Sequence, residues 1–154
     1  MRNGLLALTF ALGACVSGGG APPPLAPLAQ DQSQPVLALF EHVLKGHFAA
    51  FGANPPTTCA QLMPGGLTAE QEEALIVRFV RLAPASRCLA AADQWRDAIT
   101  DEPAQVVQVY DFACPSPSQC TGWVRAPGSP ARRYAMSFDT GAWRFTADPR
   151  LLAE

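Results

Sequence analysis

The chain has 154 residues, of which 16% are charged, and its 11 basic side chains nearly balance its 13 acidic ones. It contains no basic stripe and no block of like charge, which argues against nucleic acid as a partner. Residues 35–154 are numerous enough to form one domain with its own apolar core. We therefore expect a single globular domain, preceded by residues of a different character.

The first fifteen residues have the pattern of an export signal. Arg2 supplies a short basic start, residues 4–14 are apolar and uncharged, and the run ends in Leu12-Gly13-Ala14-Cys15. An apolar run of this length fits a signal peptide and falls short of the roughly 20 residues that span a bilayer. The small residues followed directly by a cysteine resemble the lipobox of bacterial lipoproteins.

This resemblance implies how the protein is held in the cell. Residues 1–14 would be removed as a signal peptide, and Cys15 would be acylated on its thiol and then on its new amino group. Such acyl chains hold a protein on a membrane that it does not span. Val16 stands where lipoproteins kept in the inner membrane often carry Asp, so we expect the periplasmic face of the outer membrane. The alternative is an ordinary secretory signal that happens to contain a cysteine.

Residues 15–34 link the lipidated cysteine to the domain. Residues 17–20 are Ser-Gly-Gly-Gly, residues 22–24 are prolines, and residues 30–35 are mostly polar. Segments of this kind bury too little apolar area to offset the entropy lost on ordering, so we predict a disordered tether. A proline-rich run can also be a ligand for an aromatic groove.

Two helices are predicted in the first half of the domain. Apolar residues recur at helical spacing over residues 36–51 and cover one broad face. The second helix begins at Thr68, whose hydroxyl can cap it while Gln71 completes a capping box. Its buried stripe continues to Leu82, and Pro84 ends it.

Strands are predicted in the second half. Residues 104–112 are rich in valine, residues 122–126 form a second run, and bulky and polar residues alternate over residues 133–138. Asp139-Thr140-Gly141 suits a hairpin loop, with the glycine in the left-handed region. The chain then returns through a strand that contains Trp143.

The predicted fold class is α+β. Two N-terminal helices pack on one face of a three- to four-stranded antiparallel meander, and two disulfides staple the domain. Residues 88–99 are ambiguous, because their apolar spacing fits a helix while their last part also fits a strand. We favour the strand there.

Four cysteines remain after Cys15, and they are Cys59, Cys88, Cys114 and Cys120. An even number in an exported protein indicates disulfides, and three pairings are possible. We favour Cys59 with Cys88, in loops on either side of the second helix, and Cys114 with Cys120, closing a loop between strands. The alternatives, a zinc site or a thioredoxin-like redox pair, lack the Cys-x-x-Cys spacing.

The sequence carries no recognised catalytic motif, so we expect no catalytic residue, no cofactor and no metal. No serine stands in a Gly-x-Ser-x-Gly pattern, and there is no phosphate loop or dinucleotide glycine motif. His42 and His47 point about 140 degrees apart on a helix, so they cannot share a metal from that helix alone. A hidden site would need His47 as a base near Tyr110 or Asp111.

Three functions remain open. The favoured one is a non-catalytic interaction or structural module that docks onto another envelope protein or the cell wall. The second is a small-ligand or lipid carrier, which needs an apolar cavity between helices and sheet near His47 and Tyr110. The third is an enzyme with such a hidden site. For the first, we expect partner-binding arginines on the outer face of the sheet: Arg125, Arg132, Arg133 and Arg144.

Overall fold

The computed structural model describes residues 24–52, 54–92 and 94–148. The helices are α1, Pro35–Phe51, and α2, Ala69–Ile76, and short 3-10 turns lie at Leu28–Gln30 and Ala85–Arg87. Eight strands occur in this part of the chain: β1 Thr58–Met63, β2 Leu82–Ala83, β3 Cys88–Ala91, β4 Gln94–Asp97, β5 Pro103–Ser116, β6 Gln119–Arg125, β7 Arg132–Asp139 and β8 Ala142–Ala147. Neither α1 nor α2 is long and apolar enough to cross a membrane. The predicted signal peptide, Cys15 and residues 16–23 of the predicted tether lie outside the described residues. Residues 24–34, which were assigned to the same disordered tether, are described: they include the first 3-10 turn, and Leu28 packs in the core.

The strands form one mixed sheet in the order β2–β1–β5–β6–β7–β8. β1 runs parallel to both β2 and β5, whereas the pairs from β5 to β8 are antiparallel. β3 pairs with β4, and β4 pairs with the start of β5. The predicted three- to four-stranded antiparallel meander is therefore wrong, because it accounts only for β5–β8 and omits the parallel half of the sheet.

The missed strands lack the patterns that identify a strand in a sequence. β1 reads TCAQLM, and its first three residues are all buried, so polar and apolar residues do not alternate. β2 has two residues, and β3 and β4 have four each, which is too short for a period to appear. The ambiguous residues 88–99 contain the β3–β4 hairpin, so the strand favoured at their end is present.

α1 packs against one face of the sheet and fills the space beneath it. Leu39, Phe40 and Leu44 are fully buried and lie in one cluster with Val107 and Val109 of β5. Burying a side chain of this size contributes about 1.5–3 kcal/mol relative to leaving it exposed. The apolar face predicted for the first helix is thus the face that meets the sheet, and its contact with β5 is the centre of the core.

α2 has the predicted start and an earlier end. Its capping box is present, with Gln71 N donating to the Thr68 hydroxyl at 3.2 Å. The helix ends at Ile76, because the following residues turn to place Phe79 against Phe48, with ring centroids 5.5 Å apart. Tertiary packing here overrides a helical pattern that continues in the sequence.

β5 contains a bulge at Asp111, whose φ of 50° lies in the left-handed region. The step from Tyr110 to Ala113 on β5 matches a step on β6 that is one residue shorter. A bulge of this kind bends a strand and increases its twist. The bend lets the sheet follow α1, which contacts both β5 and β8.

The bulge also returns Phe112 to the helix side, where its ring lies over Gly122. A Cβ atom on Gly122 would stand 2.9 Å from Phe112 Cδ2 and 3.3 Å from Leu39 Cδ2. Only a residue without a side chain fits beneath this ring. The close approach fixes how β6 lies under α1.

Two disulfides are present, as expected from the sequence. They join the favoured pairs, Cys59 with Cys88 and Cys114 with Cys120. The first ties β1 to β3 and is buried in a small cluster with Val106. The second closes the tip of the β5–β6 hairpin. On the chain-entropy model each stabilises the domain by roughly 2–4 kcal/mol.

We expect Gly122→Ala to lower the free energy of unfolding by about 1–3 kcal/mol, because the new methyl group collides with Phe112 and Leu39. Gly46→Ala, within α1, is the matched control. Nothing lies within 4 Å of its Cβ, and alanine favours a helix, so this change raises the free energy of unfolding by up to about 1 kcal/mol. Urea unfolding measures the free energy of unfolding of both variants. Equal changes in the two variants would contradict the close packing of Phe112 over Gly122.

Candidate functional site

The four arginines chosen from the sequence are all exposed, but they do not share one face. Neighbouring residues of a strand point to opposite faces. Arg132 lies opposite Val124, whose side chain is buried beneath α1, so Arg132 points to the helix side. Arg125, Arg133 and Arg144 point to the other, outer face. The expected cluster on the outer face therefore loses one member.

Two of these arginines flank an aromatic pair on the outer face. Tyr110 and Trp123 stack across β5 and β6 with ring centroids 6.3 Å apart, and Arg125 Cζ is 6.0 Å from the Tyr110 centroid. Arg133 lies directly opposite Trp123. Met63, in register with Tyr110, is 43% exposed. We name these five residues the aromatic–arginine patch.

A cleft of about 560 Å³ lies beside the patch, where the sheet is interrupted. On one edge of β5, β4 pairs with residues 103–104 and β6 pairs from Gln108 onward. Among the described residues, no strand pairs with residues 105–107 on that edge. The cleft lies between β4 and the loop after β6, and we name it the edge cleft. Its lining includes Trp95, Gln105, Val106, Gln108, Arg125 and Ser129.

Backbone groups point into the edge cleft. The N–H of Gln105 donates to Thr57 O at 2.8 Å, on the side of β1. Successive residues of a strand direct their backbone groups to opposite edges, so the N–H and C=O of Val106 point away from β1 and into the cleft. Within the described residues, no strand pairs with these two groups and no other hydrogen bond reaches them.

Side chains add two amides and a positive charge to the lining of the edge cleft. Gln105 Oε1 is buried and has no hydrogen-bond partner among the residues that the structure describes. The amide of Gln108 donates to Gln61 Oε1 at 2.8 Å. Of the described lining residues, Arg125 is the one that carries a charge. The cleft therefore combines open backbone groups with one cation at its rim.

The residues predicted to surround a cavity do not meet. His47 is buried at the end of α1, with Nε2 3.3 Å from Thr58 Oγ1, and burial lowers its pKa. Tyr110 belongs to the outer face, so the sheet separates its ring from His47. Asp111 is exposed at the bulge. The space between α1 and the sheet is occupied by core side chains.

The other histidine also packs as a structural residue. The ring of His42 stacks on Phe145 with centroids 4.3 Å apart, and burial, together with the charge of Lys45, lowers its pKa. In the described part of the chain, no group of three or more His, Cys, Asp or Glu side chains could hold a metal ion. What the described residues offer is a pair of adjacent candidate surfaces, the patch and the cleft.

One buried carboxylate holds β4, and so one wall of the edge cleft, in place. Asp97 is 1% exposed, and its oxygens accept hydrogen bonds from Arg87 Nε at 2.8 and 3.0 Å and from Thr57 Oγ1 at 2.7 Å. Ile99 N donates to it at 2.9 Å. These bonds, those of Arg87 first, hold the pKa of Asp97 well below its usual range. Asp97 thus ties β4 to the residue before β1.

Of the four arginines predicted from the sequence to bind a partner, one, Arg125, lines the edge cleft. The gap exists because β4 and β6 occupy different parts of one edge of β5, and no local pattern reports such an arrangement. A weak signal is present in retrospect. Gln105 and Gln108 interrupt a valine-rich run in a strand that is otherwise largely buried.

The chain matches no known family model, and no curated protein or solved structure is significantly similar to it. Its function therefore has to be inferred from the geometry of the patch and the cleft.

We expect Asp97→Asn to lower the free energy of unfolding at neutral pH more than Asp101→Asn, because Asp97 is buried and Asp101 is 87% exposed. Asparagine also tolerates the left-handed backbone of residue 101, which makes it a fair control. A lowered pKa means that the folded state prefers the carboxylate. The stabilisation is then fully present above the ordinary pKa of about 3.9 and is lost as the pH falls below it.

Urea unfolding at about pH 7, 5 and 3 measures this dependence. The free energy of unfolding of the unsubstituted protein should exceed that of Asp97→Asn by a constant amount from neutral pH to about pH 5. This difference in free energy should become smaller at about pH 3. A difference that stays constant across the whole range would contradict the role assigned to this carboxylate.

Proposed function

We propose that this chain is a lipid-anchored protein of the cell envelope, whose folded domain is a non-catalytic module that binds another envelope protein. The signal pattern that ends at Cys15 supports the anchor. Two disulfides fit an oxidising compartment. On the periplasmic face of the outer membrane, the residues between Cys15 and the packed segment 24–34 would tether the domain to lipid.

The observation that carries the binding role is the aromatic–arginine patch. Trp, Tyr and Arg are the residues that most often dominate the binding energy of protein interfaces. Arg125 and Arg133 form no ion pair with any described residue, so their charges remain available to the carboxylates of a partner. A partner surface that combines apolar and acidic residues would complement the patch.

The part of the N-terminal segment that the structure describes, residues 24–34, lies away from the aromatic–arginine patch, which supports the patch as a surface open to a partner. Ala26 O accepts a hydrogen bond from Arg78 Nη2 at 2.9 Å, and Leu28 packs in the core with α1. Trp143 Nε1 donates to Asp31 O at 3.1 Å. These contacts lie on the helix side of the sheet. The chain that leads from the tether therefore approaches on that side, and the outer face points away from it.

A small-ligand or lipid carrier is the second candidate. The space beneath α1 is filled, but a groove of about 270 Å³ lies near the end of α1. Its lining combines apolar residues, among them Phe48, Phe79 and Val80, with Arg78 and Arg81. Val80 is 97% exposed, so an apolar ligand would cover it. This candidate ranks second because the groove is smaller than the roughly 300–1,000 Å³ of most ligand pockets.

Native mass spectrometry of the protein, extracted gently from its own membranes, tests the anchor and the partner together. We expect a mass that begins at Cys15 with added acyl chains, is four hydrogens lighter than the reduced chain because of the two disulfides, and is accompanied by a bound protein. An unacylated chain would contradict the anchor. A small-molecule adduct in place of a bound protein would favour the carrier.

Arg133→Ser and Arg132→Ser form a matched pair for the interface, because these neighbours are both exposed and lie on opposite faces. We expect Arg133→Ser to weaken binding to the co-extracted partner at least about tenfold, the usual result of truncating an arginine that contributes more than 1.4 kcal/mol. Arg132→Ser should leave the affinity unchanged. Titration of the purified partner measures both, and equal affinities would remove the outer face from the interface.

A further inference from the structure

We propose that the edge cleft binds a short extended peptide segment of the partner, with a carboxylate that Arg125 receives. This inference rests on the proposed function and specifies the part of the partner that is recognised. The carboxylate can belong to an acidic side chain or to a chain end, since both present the same chemistry to a guanidinium.

The open edge of β5 favours a peptide backbone as the ligand. Val106 presents one N–H and one C=O to the cleft, and within the described residues no strand pairs with them. An extended peptide satisfies such a donor and acceptor together, as when a peptide adds a strand to an exposed sheet edge. Val106 is only 6% exposed, so its unpaired groups gain more from a ligand than groups on an open surface would.

The gap also limits the length of the paired segment. β4 occupies the edge up to Ala104, and β6 occupies it from Gln108, which leaves residues 105–107 open. At about 3.3 Å per residue, the opening is roughly 10 Å long. About three residues of an extended chain fit there, and a longer strand would meet β4 or β6. A short segment or a chain end is therefore the occupant that the gap admits.

The side chains around the gap define what the segment carries. Arg125 is held over the ring of Tyr110, which leaves its N–H groups free to bind a carboxylate at two points. Trp95 packs against the buried cluster around the first disulfide and forms an apolar wall. An acidic peptide with an apolar side chain matches both Arg125 and Trp95.

Amide hydrogen exchange at Val106 tests the backbone pairing directly. The sample is the mature chain with Cys15→Ser, labelled with 15N and with both disulfides intact. In the free protein, the Val106 amide should exchange at least about tenfold faster than those of Val107 and Val109, because the amides of Val107 and Val109 point to β1 and pair with it, whereas that of Val106 points into the cleft. A Val106 amide that is already as slow as these two would overturn the proposal.

Three mixtures of random acetylated pentapeptides serve as probes. One has Asp fixed at its centre and an amidated end, one has Ser fixed there and an amidated end, and one has Ser with a free carboxyl end. The Asp mixture, the free-carboxyl mixture or both should slow exchange at Val106 and shift its amide resonance. The amidated Ser mixture should bind at least about tenfold more weakly, since it lacks the charge-assisted bonds. The mixture that acts identifies the source of the carboxylate.

Arg125→Gln should abolish the difference between the Asp and Ser mixtures. Arg144→Gln should preserve it, because Arg144 lies on β8, outside the patch and the cleft. No response of Val106 to any mixture, or an unchanged difference in Arg125→Gln, would overturn the proposal. If Arg133→Ser weakens binding of the partner while all peptides leave Val106 unaffected, the proposed function stands and the assignment of the edge cleft fails.

Discussion

β5 is the strand on which the rest of the structure depends, because both of its edges and one of its faces are in use. β1 fills one edge by parallel pairing over six residues. On the other edge, β4 takes the first residues and β6 takes the later ones. β4 precedes β5 in the chain and β6 follows it. Each pairs with its own part of β5, and neither pairing requires the two strands to touch each other. The same strand therefore builds the core through Val107 and Val109 and leaves Val106 open at a gap.

The parts of the fold that depend on a few adjacent residues were predicted. The capping box at Thr68 is present, and Thr140 and Gly141 adopt positive φ in the β7–β8 hairpin loop. The fold class was wrong because β1 has neither alternation nor a nearby partner. Its pairing is parallel and reaches far along the chain, and only the three-dimensional arrangement decides it.

For the candidate site, too, the predictable part was the local one. Alternation along a strand determines which face of the sheet a side chain occupies. It placed Arg133 and Arg144 on the outer face, whereas Arg125 and Arg132 were grouped with them by residue type alone, and of these two only Arg125 lies there. The same rule explains why the expected cavity failed. With Val109 in the core, Tyr110 has to lie on the opposite face from His47, and the register of β5 is a property that no local pattern gives.

The two walls of the edge cleft are held with different strength, and this decides how a ligand would be accommodated. The Cys59–Cys88 disulfide and the buried Asp97 attach the β3–β4 hairpin to β1, so β4 cannot slide along β5 and close the gap. The opposite wall is a loop with a single backbone hydrogen bond of its own, from Ser129 N to Ala126 O. A preorganised wall lowers the cost of binding, because less of the site has to be ordered when the ligand arrives. Any adjustment to a peptide therefore falls on the loop after β6, next to Arg125.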